Sequence, residues 1–289
     1  MTLRRVRARV MIALAVFAAA GIAIAQEPSA PAASEAGEVA GLRTIVLDPG
    51  HGGEEVGAVG RSGLMEKELA LDIARRLRGR LEARGGVRVL LTREDDQQIP
   101  LRQRTALANN ARADLFVSIH LNSSRRSSAH GTEAYFLALT ASDEEALDLA
   151  RQENRGETAE AAAGAGEGEG GAEGNPGEAR SDLQLVLWGM AQSEHLNRSS
   201  RLAELIQDEM DRLHGMESRG VKQAPFTVLM GATMPAVLVE VAFLSNQADE
   251  ENLAREEFRE SVAQALETAI DHLKAESEGG ARPAAGSIP

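Results

Sequence analysis

Between residues 42 and 120 the chain alternates short runs of branched apolar residues with longer amphipathic stretches, an order that leaves few folds open. Residues 42–47 read as a strand. Over 66–84, Leu69, Ile73, Leu77 and Leu81 recur four apart, the spacing of one buried helical face, and Gly85-Gly86 ends the run. Residues 87–92 are again strand-like, 101–112 helical, and 114–120 form a third strand. This β-α-β-α-β order predicts an α/β fold: one domain with a mostly parallel central sheet flanked by helices. Parallel strands deliver functional groups at their C-terminal ends. His51 and His120 each follow a predicted strand, so both should emerge at the same edge of the sheet.

The second half is less regular. Residues 131–139 predict a strand, and 142–152 a helix with Ser142 as N-cap and Asp143, Glu144 and Glu145 complementing its dipole. From 153 to 180 there is no Ile, Leu, Val or aromatic residue. Such a stretch cannot bury enough apolar surface to offset chain entropy, and it is expected to be a disordered acidic insertion. Residues 183–214 predict one long helix or two in series, with Trp188 and Met190 in its buried stripe. Strands are expected at 226–230 and 236–241, a terminal amphipathic helix over 249–274, and a frayed tail over 275–289.

The N-terminus reads as an address. Arg4, Arg5, Arg7 and Arg9 precede an apolar run that ends Ala23-Ile24-Ala25, the layout of a secretory signal peptide over 1–25. A flexible leader over 26–41 then leads into the domain, 42–274. The apolar run is short for a membrane span, so no stable membrane anchor is expected after cleavage. The absence of cysteine removes disulfides, a thiol nucleophile and a lipidated N-terminal cysteine. The net charge of −13 argues against a nucleic-acid partner. An aromatic content of 3% argues against a stacking groove.

The chemistry concentrates in a few places. Asp48-Pro49-Gly50-His51-Gly52-Gly53 closes a strand with a glycine-rich turn that leaves His51 accessible. His51, Glu66 and His120 are three metal-ligand types from separate parts of the chain. Imidazole and carboxylate suit Zn2+, which in catalytic sites commonly keeps three protein ligands and one open position. Glu240 interrupts the apolar run 236–239. Two readings stay open for it: a carboxylate paired with Arg or Lys, or a general base whose pKa burial raises. His130, His195, His214 and His272 read as surface or core residues.

Taken in order, the turn at 48–53, Glu66-Lys67, Thr92-Arg93, Ser118-Ile119-His120-Leu121-Asn122 and residues 235–246 carry a family likeness. The last of these runs from Pro235-Ala236-Val237-Leu238-Val239-Glu240 to Phe243-Leu244-Ser245-Asn246. Together they resemble the zinc-dependent N-acetylmuramoyl-L-alanine amidases of the Amidase_3 family, over 42–274 apart from the acidic insertion. The resemblance implies His51, Glu66 and His120 as zinc ligands, Glu240 as the catalytic glutamate, and peptidoglycan as substrate. Cleavage would fall at the amide between N-acetylmuramic acid and L-alanine. Asn122 is expected either to fix its loop or to contact substrate, and Arg93, Arg102 and Arg104 to form structural ion pairs.

Some cell-division members of that family carry an extra segment whose helix covers the zinc site until a partner protein withdraws it. Residues 142–180 lie in the corresponding place. The resemblance therefore implies a regulatory helix, with Glu144, Glu145 or Glu153 filling the open zinc position and an activator protein relieving the block. An inert acidic spacer is the alternative. Two other functions share the same residues: a non-catalytic wall-binding or regulatory protein, and a zinc carboxypeptidase acting on stem peptides.

Overall fold

The computed structural model describes residues 41–155 and 182–279. The signal peptide, nearly all of the leader, residues 156–181 and the last ten residues lie outside the described residues. Strands β1 (Thr44–Pro49), β2 (Arg88–Leu91), β3 (Leu115–Asn122), β4 (Thr132–Leu137), β5 (Ser218–Ala224) and β6 (Ala236–Phe243) form one sheet in the order β2-β1-β3-β6-β4-β5. β1, β2, β3 and β6 pair parallel, as the alternation predicts. β4 runs antiparallel to β6 and carries β5 parallel to itself.

Strand alternation splits the core in two. Ile45, Leu47, Val117 and Val239 face a layer made by helices α1 (Glu66–Ala83), α4 (Asp182–Met210) and α6 (Glu256–Gly279). Leu69, Ile73, Leu77 and Leu81 of α1 are all buried in it, on the face their spacing predicts. Val46, Phe116 and Leu238 face the opposite layer, which contains α2 (Leu101–Asn110) and α3 (Glu144–Glu153). Two residues further along that same face stand Asp48, Ser118 and Glu240, with His120 next along β3. The polar row at the strand ends thus lies on the side that α3 covers.

Several expectations change. Residues 226–230 are not a strand: Thr227–Leu229 is a single 3-10 turn, buried and held by Thr105 Oγ1 donating to the Val228 carbonyl at 2.6 Å. The strand is instead Ser218–Ala224, half-exposed and polar, at the sheet edge where one ladder suffices to order it. α3 is capped by Asp143, whose side chain accepts from Ala146 N, not by Ser142. The Ser142 hydroxyl accepts from Gln223 N at 2.7 Å and ties the approach to α3 onto β5.

Glu153 belongs to α3 and not to the acidic insertion. The terminal helix is two helices, α5 (Gln247–Ala254) and α6, because Arg255 is extended and Asn246 caps α5 through Ala248 and Asp249 N–H groups. α6 continues past Lys274 into what was expected to be tail. The run 182–210 is a single helix, and Trp188 and Met190 lie where only its backbone is described. No described helix is long and apolar enough to cross a membrane.

Candidate metal centre and its cleft

His51 reaches the site on a backbone that would not hold itself. Its φ is 57°, the left-handed region, uncommon for a residue with a Cβ. Two buried arginines clamp the turn. Arg93 donates to the carbonyls of Pro49 at 3.0 Å and Gly50 at 2.7 Å, and Arg104 to those of Pro49 and His51, each at 2.9 Å. Arg104 also pairs with fully buried Asp48 at 2.9 Å, and Thr92 and Ser118 complete that carboxylate. Arg104 is therefore the structural ion-pair former expected of it, whereas Arg93 binds carbonyls and Arg102 is exposed. Two glycines leave room for the ligands. A Cβ at Gly50 would lie 2.5 Å from the His120 ring, and one at Gly57 would lie 2.4 Å from Glu66 Oε2 and 2.6 Å from His51 Cδ2.

Glu66 opens α1, and its carboxylate points back across the ends of β1 and β3. Oε2 accepts from Ala58 N at 2.7 Å, while Oε1 accepts from Leu121 N at 2.9 Å and lies 3.0 Å from His120 Nδ1. His51 Nε2 is also 3.0 Å from that oxygen. The two rings meet edge to face, with centroids 4.9 Å apart. The structure thus brings together the three ligand candidates His51, Glu66 and His120.

A fourth group joins them. Glu153 Oε2, at the last residue of α3, lies 3.1 Å from His120 Nδ1 and 3.3 Å from His51 Nε2. Of the three carboxylates considered for this place, Glu144 and Glu145 are exposed, and Glu145 pairs with Arg126 and Arg219. The ligand atoms of His51, His120 and Glu153 all lie within 4.8 Å of one another, a spacing able to hold a metal ion. His51 Nε2 and Glu153 Oε2 are buried and make no hydrogen bond of acceptable geometry. Buried polar atoms are seldom left so, and a cation between them would satisfy both. The donor set, nitrogen and carboxylate oxygen, fits Zn2+.

Charge follows the same pattern. Burial works against protonation of His51, but Glu66 and Glu153 outweigh it and raise its pKa to about 9. His120 is likewise driven up, by Glu153 and Glu66 against burial. Burial also opposes ionisation of Glu153, yet His120 and His51 hold its carboxyl well below its ordinary range.

Glu240 stands across the β3–β6 register from His120. It is 1% exposed, and neither of its oxygens has a hydrogen-bond partner. Among the described residues no Arg or Lys pairs with it, which speaks against the paired-carboxylate reading. Burial pushes its pKa well up; His120 opposes this, and Glu153, Glu66 and Glu133 reinforce it.

Beyond Glu240, in register on β4, lies Glu133, which sequence reasoning passed over. Its Oε1 accepts from Arg219 Nε at 2.8 Å and Lys222 Nζ at 2.9 Å, and its Oε2 from Asn122 Nδ2 and Tyr135 OH, each at 2.9 Å. Asn122 is thereby held by the sheet rather than by its own loop. A charged residue directly before the apolar run Ala134-Tyr135-Phe136-Leu137 was the available signal. Asn122, Glu133, Tyr135 and Arg219 line a cleft of about 630 Å³, closed on the other side by Glu145, Leu149 and Gln152 of α3; the histidines, Glu66, Glu153 and Glu240 do not line it. His130 pairs with Glu217 at 3.0 Å and His214 is exposed, as expected of residues outside the site.

The Amidase_3 family, described as N-acetylmuramoyl-L-alanine amidase, matches residues 45–272. The N-acetylmuramoyl-L-alanine amidase AmiC of Neisseria meningitidis is 38% identical over 226 residues, which cover 78% of this chain and 51% of that protein. AmiA of Escherichia coli, of the same description, is 35% identical over 243 residues, covering 82% of this chain and 77% of its own length. The chain thus spans about half the length of the AmiC relatives it matches. The solved N-acetylmuramoyl-L-alanine amidase of Clostridium difficile 630 superposes with a TM-score of 0.57 at 25% identity, over 81% of this chain and 97% of that one.

Proposed function

Because the chain belongs to the Amidase_3 family, we propose that it is a zinc-dependent peptidoglycan amidase. It hydrolyses the amide that joins N-acetylmuramic acid to the L-alanine of the stem peptide. The observation that carries this reading is the convergence of His51, Glu66, His120 and Glu240 at one sheet edge, with buried atoms of His51 and Glu240 left without hydrogen bonds.

His51, Glu66 and His120 would hold Zn2+, which when bound supplies a Lewis acid for the amide carbonyl and acidifies water. The chain's own residues do the rest. Arg93 and Arg104 fix the His51 turn, and the Leu121 and Ala58 N–H groups orient Glu66. Glu240 has free oxygens and a raised pKa. It takes the proton from the attacking water as the new C–O bond forms, then gives it to the nitrogen as the C–N bond breaks.

Glu153 gives the resting state its regulation: its carboxylate sits between the two histidines, where an open coordination position would face substrate. The helix bearing it buries only Ala146, Leu149 and Ala150. At about 1.5–3 kcal/mol for a buried leucine, such a face is held by only a few kcal/mol, within reach of a binding partner. An activator protein that draws α3 away would open the site, and the N-terminal signal would deliver the chain outside the cytoplasm.

Mass spectrometry of digested sacculi tests the chemistry. Free stem peptides beginning in L-alanine, with intact glycan strands, support the amidase. Shortened peptides still attached to glycan would mark a carboxypeptidase, and no products from a zinc-loaded, Glu153-substituted chain would mark a binding protein.

A further inference from the structure

The cleft wall beside the metal centre has an unbalanced charge that α3 makes good. Arg219 and Lys222 both donate to the single oxygen Glu133 Oε1, so this buried carboxylate neutralises only one of them. α3 supplies the remainder. Its Asp143 lies 3.4 Å from Lys222 Nζ, and Glu145 Oε2 lies 3.1 Å from Arg219 Nη2. The other oxygen of Glu145 is 3.1 Å from Arg126 Nη1, so one carboxylate is gripped by two guanidinium groups.

Arg219 is pre-set for this. Its Nε is fixed on Glu133, and its guanidinium carbon lies 5.2 Å over the Phe243 ring. Nη2 is left to turn outward into the cleft. Arg219 stands on β5, two strands beyond Glu240, and reaches back to Glu133, the residue in register with Glu240; Arg126 stands on the loop between β3 and β4.

We infer that Arg126 and Arg219 form a carboxylate-binding subsite for the peptide side of the substrate, and that Glu145 occupies it as a stand-in while α3 is closed. The inference rests on the amidase reading. α3 then blocks two places at once, with Glu153 at the metal ligands and Glu145 at the peptide's anion site. The required ligand is a peptide with a free carboxylate, and the site favours a planar oxyanion because a guanidinium fork matches its geometry.

Binding of a soluble muramoyl-peptide to the full-length, zinc-loaded chain tests this, in a Glu145→Ala background that vacates the subsite. The peptide is compared with its carboxyl-amidated form. Arg219→Lys keeps the charge and the pairing with Glu133, so the fold survives, but it loses the outward fork. It should weaken binding of the free-carboxylate peptide about tenfold and leave the amidated peptide unchanged. Arg126→Gln, on an exposed loop, should weaken the first by a few-fold and spare the second.

Equal affinities for the two peptides, or unchanged binding in both variants, would overturn the subsite. If instead an acidic protein ligand, polyglutamate, binds in an Arg219-dependent way while the free-carboxylate peptide does not, the patch serves a partner and the inference is wrong. Release of stem peptides from sacculi, measured in parallel on the same chain with Glu153→Ala added to open the metal centre, separates the two failures. Turnover without carboxylate dependence rejects the subsite alone, and carboxylate-dependent binding without turnover rejects the amidase alone.

Discussion

Glu240 faces His120 directly across the β3–β6 ladder, and both oxygens of the glutamate are buried without a hydrogen bond. A carboxylate kept dry and unpaired beside a candidate ligand histidine is costly unless its proton affinity is used. Glu240→Gln keeps the shape and removes the base. It should lower kcat by about 10²- to 10⁴-fold while zinc content stays at the wild-type level. Near-normal turnover in this variant would remove Glu240 from the chemistry.

The glycines around the ligands make a sharper structural test than the ligands themselves. Gly57 has φ 68°, and an added Cβ would strike both Glu66 and His51. Gly57→Ala should weaken zinc binding at least tenfold in a chelator competition, on the order of other changes to the support of metal ligands. Zinc affinity equal to wild type would mean that the ligands do not close as tightly around the ion as these contacts require.

Protonation and metal loading compete at His51. With its pKa raised to about 9 by Glu66 and Glu153 against burial, the metal-free folded protein gains stability below the ordinary pH 6.5 value. That gain is lost as pH rises through about 9. Zinc uptake near pH 7.5 must therefore expel at least one proton. Calorimetric titration in buffers of different ionisation enthalpy should give heats that vary with the buffer. Buffer-independent heats would contradict the cluster's charge state.

Asp48 holds the histidine turn from beneath. Burial opposes its ionisation, but Arg104 and the hydroxyls of Thr92 and Ser118 outweigh that and leave its pKa below the ordinary carboxylate value. Asp48→Asn leaves Arg104 buried without its partner and should cost about 3 kcal/mol at pH 7. A depressed pKa gives stability that is present above about pH 4 and lost as pH falls through the folded value. The gap between wild-type and variant thermal midpoints should accordingly shrink on acidification; a gap constant from pH 7 to pH 3 would place the stabilisation elsewhere.

How much of this was legible in the residues depends on what each feature needed. His51, Glu66, His120 and Glu240 are readable through the motifs that carry the family likeness, whereas their spacing alone leaves Glu240 with two readings. Glu153 was one of three carboxylates in view. Choosing among them requires the phase of α3 against the sheet, and that is set by Ala146, Leu149 and Ala150 packing and by Asn154 bonding Pro225 and Thr227. The strand Ser218–Ala224 was invisible because its order comes from pairing with β4, whereas the more strand-like run at 226–230 is spent on a buried turn. Glu133 and its cations are scattered over β4 and β5, and only the ladder between those strands brings them together.

The central claim is that this site hydrolyses the muramoyl amide and that Glu153 holds it closed. Its most direct test is the rate at which stem peptides are released from purified sacculi by the full-length, zinc-loaded chain and by its Glu153→Ala variant, without any partner present. The account predicts release at least about tenfold faster from the variant, as expected when a closed state favoured by roughly 1.4 kcal/mol or more is lost. A variant that releases stem peptides no faster than wild type, or not at all, would contradict it.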